Sequence, residues 1–216
     1  MEHTSKAPAA KRHSAAEFLP ETRSLHALED AARQCHGCDL YRFATQTVFG
    51  EGHSPARIVL VGEQPGDQED LQGHPFVGPA GKLLDRALEQ AGIRRDEVYV
   101  TNAVKHFKFE PKGKRRINKK PGSSEISACR PWLEAEMETV RPKLIVCMGA
   151  TASQSVLGRA VGIQKERGSF LPHRSGADVM ITIHPSALLR LQTHEERERE
   201  FNRFVSELKS AKERAG

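Results

Sequence analysis

The chain has 216 residues, 38% of them hydrophobic and 6% aromatic, and a formal net charge of +5. That length carries one domain with a real core and is short for two. No apolar run approaches the roughly 18 residues of a membrane span, and no signal-peptide core opens the chain, so a cytoplasmic protein is expected.

Residues 1–20 (MEHTSKAPAAKRHSAAEFLP) lack periodicity and are expected to form a disordered tail, with residues 21–216 as a single domain. SLHALEDAARQC suits a short helix leading into the first cysteine. Four β-branched-rich runs follow, at 57–62, 97–104, 143–148 and 178–183. Each is continuous rather than alternating, which suits strands buried on both faces of a parallel sheet. Between them lie helical patterns. Residues 79–92 put Leu83, Leu84, Ala87, Leu88 and Ala91 on one stripe and stop at Gly92. Residues 123–142 open with a serine cap, are interrupted at Pro131 and stop before Pro142. ATASQSVLG follows the third strand, and a polar C-terminal helix carries Phe201, Phe204, Val205 and Leu208 inward. Strand alternating with helix predicts a three-layer αβα domain around a four-stranded, mainly parallel sheet. Sites in such sheets collect at the C-terminal ends of strands. Here those ends deliver Glu63, Gln64 and Asp67, then Asn102, then His184 to one rim.

The charge is concentrated. Lys105, Lys108, Lys112, Lys114, Arg115, Arg116, Lys119 and Lys120 stand against Glu110 alone, on a body that is otherwise close to neutral. A single basic element favours a polyanion held at a defined place; the plain alternative is a solvated, mobile loop. Within it, GKRRINKKPG encloses one small amide, Asn118.

The cysteines are Cys35 and Cys38, spaced C-x2-C, then Cys129 and Cys147, with none left over. A C-x2-C pair grips one metal with two thiolates, and the other two complete a tetrathiolate. Disulfides are not expected in a cytoplasmic chain. Spacing alone leaves zinc and an iron–sulfur cluster equally open. Either would serve as a structural closure rather than a catalytic centre.

The densest motif is GEQPGDQEDLQGHPFVGPAGKLLD at 62–85, directly after a strand. Its glycines allow close backbone approach to a ligand, and a helix start near Pro79 aims amides at the same place. It is not a nucleotide P-loop: Phe76 stands where a glycine is needed and Leu83 where a magnesium-binding hydroxyl is needed. No G-x-S-x-G elbow is present. A metal nuclease built on Glu63, Asp67, Glu69 and Asp70 has weak support.

That motif, together with YVTNAVKHFKF, KRRINKKP, HPSALLR and the four cysteines, resembles the iron–sulfur, family-four uracil-DNA glycosylases, most of all their UdgX branch. The likeness spans roughly residues 25–210, in order. It implies a [4Fe–4S] cluster on Cys35, Cys38, Cys129 and Cys147, uracil-containing DNA as partner, and excision of uracil after base flipping. By the same resemblance Phe76 stacks on the flipped base and Asn102 reads its N3–O4 edge. His184 donates to O2. Glu63 orients the attacking group, and Gln64 and Asp67 line the loop. Lys105, Arg115, Arg116, Lys119, Lys120 and Arg190 meet DNA.

One position departs from the pattern. The UdgX branch carries a nucleophilic histidine where this chain has Asn118. A carboxamide nitrogen, delocalised into its carbonyl, cannot attack C1′ as an imidazole can. Two classes follow: a hydrolytic glycosylase that uses water, or a non-covalent binder of uracil in DNA. A third, independent of the resemblance, is a colourless zinc protein that binds nucleic acid without chemistry. A monomer is expected, since no apolar stripe is left over.

Overall fold

The computed structural model describes residues 14–216. Of the expected tail, positions 1–13 lie outside the described residues. From Ser14 the chain is folded: Ser14 caps a 3-10 turn at Ala15–Phe18, and Ala15 is buried in one cluster with Trp132. Next comes α1 (Leu25–Ala32), capped by Ser24. Strands β1 (Glu51–Gly52) and β2 (Ile58–Gly62) follow, then α2 (Asp67–Gln72), α3 (Pro79–Gln90) and β3 (Val98–Asn102). The basic segment is not a loop. It is an antiparallel hairpin of β4 (Phe109–Lys112) and β5 (Arg115–Asn118), turned at Gly113 with φ +59°.

Helix α4 (Ser123–Val140) then leads to β6 (Leu144–Met148), α5 (Ala150–Leu157), α6 (Ile163–Glu166), β7 (Phe170–Pro172) and β8 (Asp178–Thr182). The chain finishes with α7 (Pro185–Leu188) and α8 (His194–Ala215). Two expectations for α4 are corrected. It passes through Pro131 unbroken, because Cys129, Trp132, Leu133 and Ala135 are buried on both sides of the lost amide. Its cap is not a serine: Gly122 N–H donates to Glu125 Oε2 at 2.6 Å.

Among the described residues the sheet has six strands, not four, in the order β1-β3-β2-β6-β8-β7. The four expected strands form its parallel centre, and β1 and β7 add antiparallel edges. The edges escaped the sequence because they are two and three residues long and contain Gly52 and Pro172. Alternate residues of each central strand face opposite layers. Leu60, Val100, Val146 and Met180 pack with Leu84, Leu88, Phe204 and Leu208. Val59, Val61, Ile145 and Val179 pack with Leu133, Met137 and Val140. This is the expected three-layer αβα arrangement.

Candidate active site

Every parallel strand ends at the same rim, and a cavity of about 780 Å³ opens there. Glu63, Gln64, Asp67, Phe76, Asn102, Asn118, Lys120, His184 and Arg190 line it. The seven positions expected to act on the base and sugar therefore meet in one place, although the chain separates them by up to the distance from Glu63 to His184.

Register places Asn102. Gly62 pairs with Asn102 across β2 and β3. A Cβ on Gly62 would sit 2.3 Å from Asn102 Oδ1 and 2.6 Å from Phe76 Cζ, so only glycine lets both side chains close over the strand end. Asn102 is 3% exposed, and its Oδ1 has no hydrogen-bond partner among the described residues. A buried acceptor left open toward a cavity is a group waiting for a donor. Phe76 is held at φ +58°, a conformation costly for an aromatic residue. Gly81 makes it possible, because a Cβ there would fall 1.7 Å from the Phe76 carbonyl oxygen. The Phe76 ring lies 5.9 Å from the His184 ring, tilted by 31°.

His184 precedes α7. Its Nδ1 accepts the Ser186 backbone N–H at 3.1 Å, so the ring proton sits on Nε2. Burial, assisted by Arg190, lowers its pKa to about 4. It is therefore a neutral donor at neutral pH. Glu63 accepts the Thr151 hydroxyl on Oε2 at 2.5 Å, which fixes one face of the carboxylate.

The hairpin forms the opposite wall, bolted in place from several sides. Gln64 spends its amide on the hairpin's flanks: Nε2 donates to the Lys108 and Lys119 carbonyls, and Oε1 accepts Lys108 N–H, each at 3.1 Å. Arg116 reaches Asp67 Oδ1 and Asp70 Oδ2, both at 2.6 Å, and stacks against Phe107 and Phe109. Asn118, exposed on β5, pairs in register with Phe109 and faces the cavity.

The expected DNA cations divide. Arg115, Lys120 and Arg190 are exposed, and Lys119 is exposed but ion-paired with Glu110. Arg116 is engaged internally. Lys105 is a correction: it is completely buried, with Nζ 2.6 Å from Glu136 Oε2, and cannot meet a phosphate.

The cysteines also divide. Cys35, Cys38 and Cys129 share one cluster. Burial pushes the Cys129 thiol up to about 12, against the pull of Lys105, and Cys38 and Cys35 raise it further. Cys147 is elsewhere, on the central strand β6 in the layer with Leu133 and Val140, and its thiol is raised by burial alone. The expected tetrathiolate of all four cysteines is thus not assembled, because β6 pairs on both sides and points Cys147 into a different core. Among the described residues no group of three or more His, Cys, Asp or Glu has metal-holding spacing. The buried imidazole nearest in chain is His106, beside Lys105, whose backbone N–H reaches Cys129 Sγ at 3.3 Å.

Comparison with known proteins bears directly on this site. The profile of the uracil DNA glycosylase superfamily matches residues 49–209. The chain belongs to that superfamily. It is 42% identical over 169 residues to a type-4 uracil-DNA glycosylase of Thermotoga maritima, covering 78% of this chain and 84% of the relative. It is 37% identical over 191 residues to a type-4 uracil-DNA glycosylase of Archaeoglobus fulgidus, covering 83% and 92%. A type-5 uracil-DNA glycosylase of Pyrobaculum aerophilum is 29% identical over 171 residues, covering 69% and 72%. The matched span of this superfamily member contains all four central strands and the whole cavity lining from Glu63 to Arg190. Reasoning from sequence missed the groups that hold the site still: Thr151 on Glu63, Ser186 on His184, and Glu69, whose buried Oε1 accepts Gly78 N–H at 2.9 Å. Short hydroxyls carry no spacing signal, and Glu69 reads from sequence as one acid of a weak metal-nuclease cluster rather than as a brace for the Gly78 amide.

Proposed function

We propose that this protein excises uracil from DNA by hydrolysis, with water taking the place of a covalent side chain. The observation that carries the reading is the pairing, in one cavity, of an open buried acceptor at Asn102 Oδ1 with a neutral imidazole whose proton is on Nε2. A uracil turned out of the stack offers N3–H to that acceptor and O4 to the amide nitrogen, while cytosine presents the opposite pattern. Phe76 supplies the stacking face.

Breaking the bond from N1 to C1′ leaves the electron pair on the base and positive charge on the sugar. His184 Nε2–H donates to O2 as that charge develops, and a donor already in place needs no reorganisation. Glu63, oriented by Thr151, lies at the same rim to offset the sugar charge and to accept a proton from the attacking water. The water oxygen bonds to C1′, and free uracil and an abasic site are the products. Asn118 lines the cavity but brings no nucleophile. It stands where the UdgX-like pattern has histidine. An iron–sulfur cluster, carried over from the family resemblance, would draw on Cys35, Cys38 and Cys129, which share one cluster but do not stand at metal-holding spacing in this structure. No step of the excision passes through it.

One denaturing gel tests this. A labelled oligonucleotide with one uracil is incubated with the protein and with its Asn118→His variant, and half of each sample is heated in alkali. The parent is expected to give strand cleavage only after alkali, and the variant a band retarded under denaturing conditions. Intact DNA from the parent in both halves, with retention on a native gel, would make the protein a non-covalent binder instead. A retarded band from the parent would overturn the reading of Asn118.

A further inference from the structure

Lys105 is one of the largest fully buried side chains in the protein, and the excision chemistry does not call on it. Its ammonium has three N–H donors and meets three acceptors: Thr101 Oγ1 at 2.5 Å, Glu136 Oε2 at 2.6 Å and the backbone carbonyl of Asn102 at 2.9 Å. Glu136, completely buried on α4, is saturated in turn. Its Oε1 accepts from Thr101 Oγ1 at 2.8 Å, Tyr99 OH at 3.0 Å and Gly50 N–H at 3.2 Å.

Two features make this more than a core ion pair. A buried pair gains little over well-packed apolar groups of the same volume, so stability does not explain it. And one of its three acceptors is the peptide of the residue whose side chain closes over the cavity. Asn102 is the last residue of β3, and among the described residues the sheet offers its carbonyl no strand partner. Lys105 turns back from three residues on to fill that place.

We infer that Lys105 is a positioning residue: by fixing the Asn102 peptide, the Lys105–Glu136 pair sets the plane of the Asn102 carboxamide and hence the selection of uracil. A carboxamide free to turn over exchanges its donor and acceptor and would lose the distinction between uracil and cytosine. The pair links three elements to that one side chain, since Glu136 also ties α4 to Tyr99 and Thr101 on β3 and to Gly50 beside β1. The inference rests on the proposed reading of Asn102 as the base-reading group.

The test is a double variant, Lys105→Met with Glu136→Gln, which removes both charges and keeps an acceptor for Tyr99, Thr101 and Gly50. Inhibition by free uracil and binding of an oligonucleotide with an abasic analogue are measured beside kcat. The variant is expected to bind uracil about tenfold more weakly and to lose kcat by a similar factor, the usual effect of one charge-assisted contact, while abasic DNA binds within about twofold of the parent. Thr101→Val, which deletes one acceptor and keeps the ion pair, is expected to show a smaller loss of the same kind. Uracil inhibition unchanged in a folded variant overturns the inference. So does a parallel fall of uracil and abasic-DNA binding, which would mark a general loosening. A parent that neither excises nor binds uracil removes the underlying reading, and the inference with it.

Discussion

His184 shows how a single residue carries both chemistry and a stability signature. Its ordinary pKa of 6.5 is lowered to about 4 in the fold, mainly by burial. Between those values the unfolded chain holds more protons than the folded one. Stability is therefore full above the unfolded value, falls as pH drops toward about 4, and levels off below it. Thermal melts across that window are expected to show the slope, and His184→Gln to flatten it in part. His106, lowered to about 4 by its own burial, keeps the remainder. In excision assays at neutral pH, His184→Ala is expected to lose on the order of 10²- to 10³-fold in kcat, the usual cost of one preorganised donor, with DNA affinity nearly unchanged. At this scale the sequence was informative where a residue ends a strand. Asn102 and His184 follow apolar runs, so their rim position follows from the sheet. Lys105 was misread because it sits in a basic run, and only Glu136, 31 residues further on, takes it inside.

The hairpin is the element whose character changed most between sequence and structure. Five cations within ten residues suggested a loop that grips a polyanion, with a solvated, mobile loop as the plain alternative. Instead β4 and β5 pair, and Arg116 anchors them to α2 through Asp67 and the fully buried carboxylate of Asp70. Arg116→Ala removes both charge-assisted bonds and, among the described residues, leaves the Asp70 carboxylate with the Thr45 amide alone. A loss of about 2 kcal/mol is expected, because hydrogen bonds to charged groups contribute more than neutral ones and a buried carboxylate is left half-satisfied. The check is a denaturant melt paired with limited proteolysis. New cleavage within residues 109–118 should appear before global unfolding, since the hairpin's other anchors are the Gln64 contacts and the Lys108–Glu125 pair. Unchanged proteolysis would show that the Gln64 contacts suffice. Pairing of this kind was not legible because β4 and β5 are short, mostly exposed and hold Pro111. Their alternation encodes no buried face. The central strands were legible for the opposite reason, being buried on both sides.

For the molecule as a whole, burial redistributes the charge that the sequence concentrates. Lys105 is inside, Arg116 is neutralised by two acids, Lys108 is paired with Glu125 and Lys119 with Glu110. Lys112, Lys114 and Arg115 stay exposed around the hairpin turn, while Lys120 and Arg190 are exposed in the cavity lining itself. We propose that Arg115, Lys120 and Arg190 meet the phosphodiester chain, so affinity for single-stranded DNA should fall with salt by a slope of about 0.7 per phosphate neutralised. Arg115→Gln, Lys120→Gln and Arg190→Gln are each expected to reduce the log–log slope by about that amount, because each removes one counterion-releasing contact. The neutral pair that replaces Lys105 and Glu136 should leave the slope where it was. Fluorescence anisotropy of a labelled abasic oligonucleotide over a salt series measures all four proteins alongside the parent. A slope lowered by the buried-pair substitution would mean that the core communicates with the DNA path. A slope unaffected by the three exposed substitutions would move the path to another face.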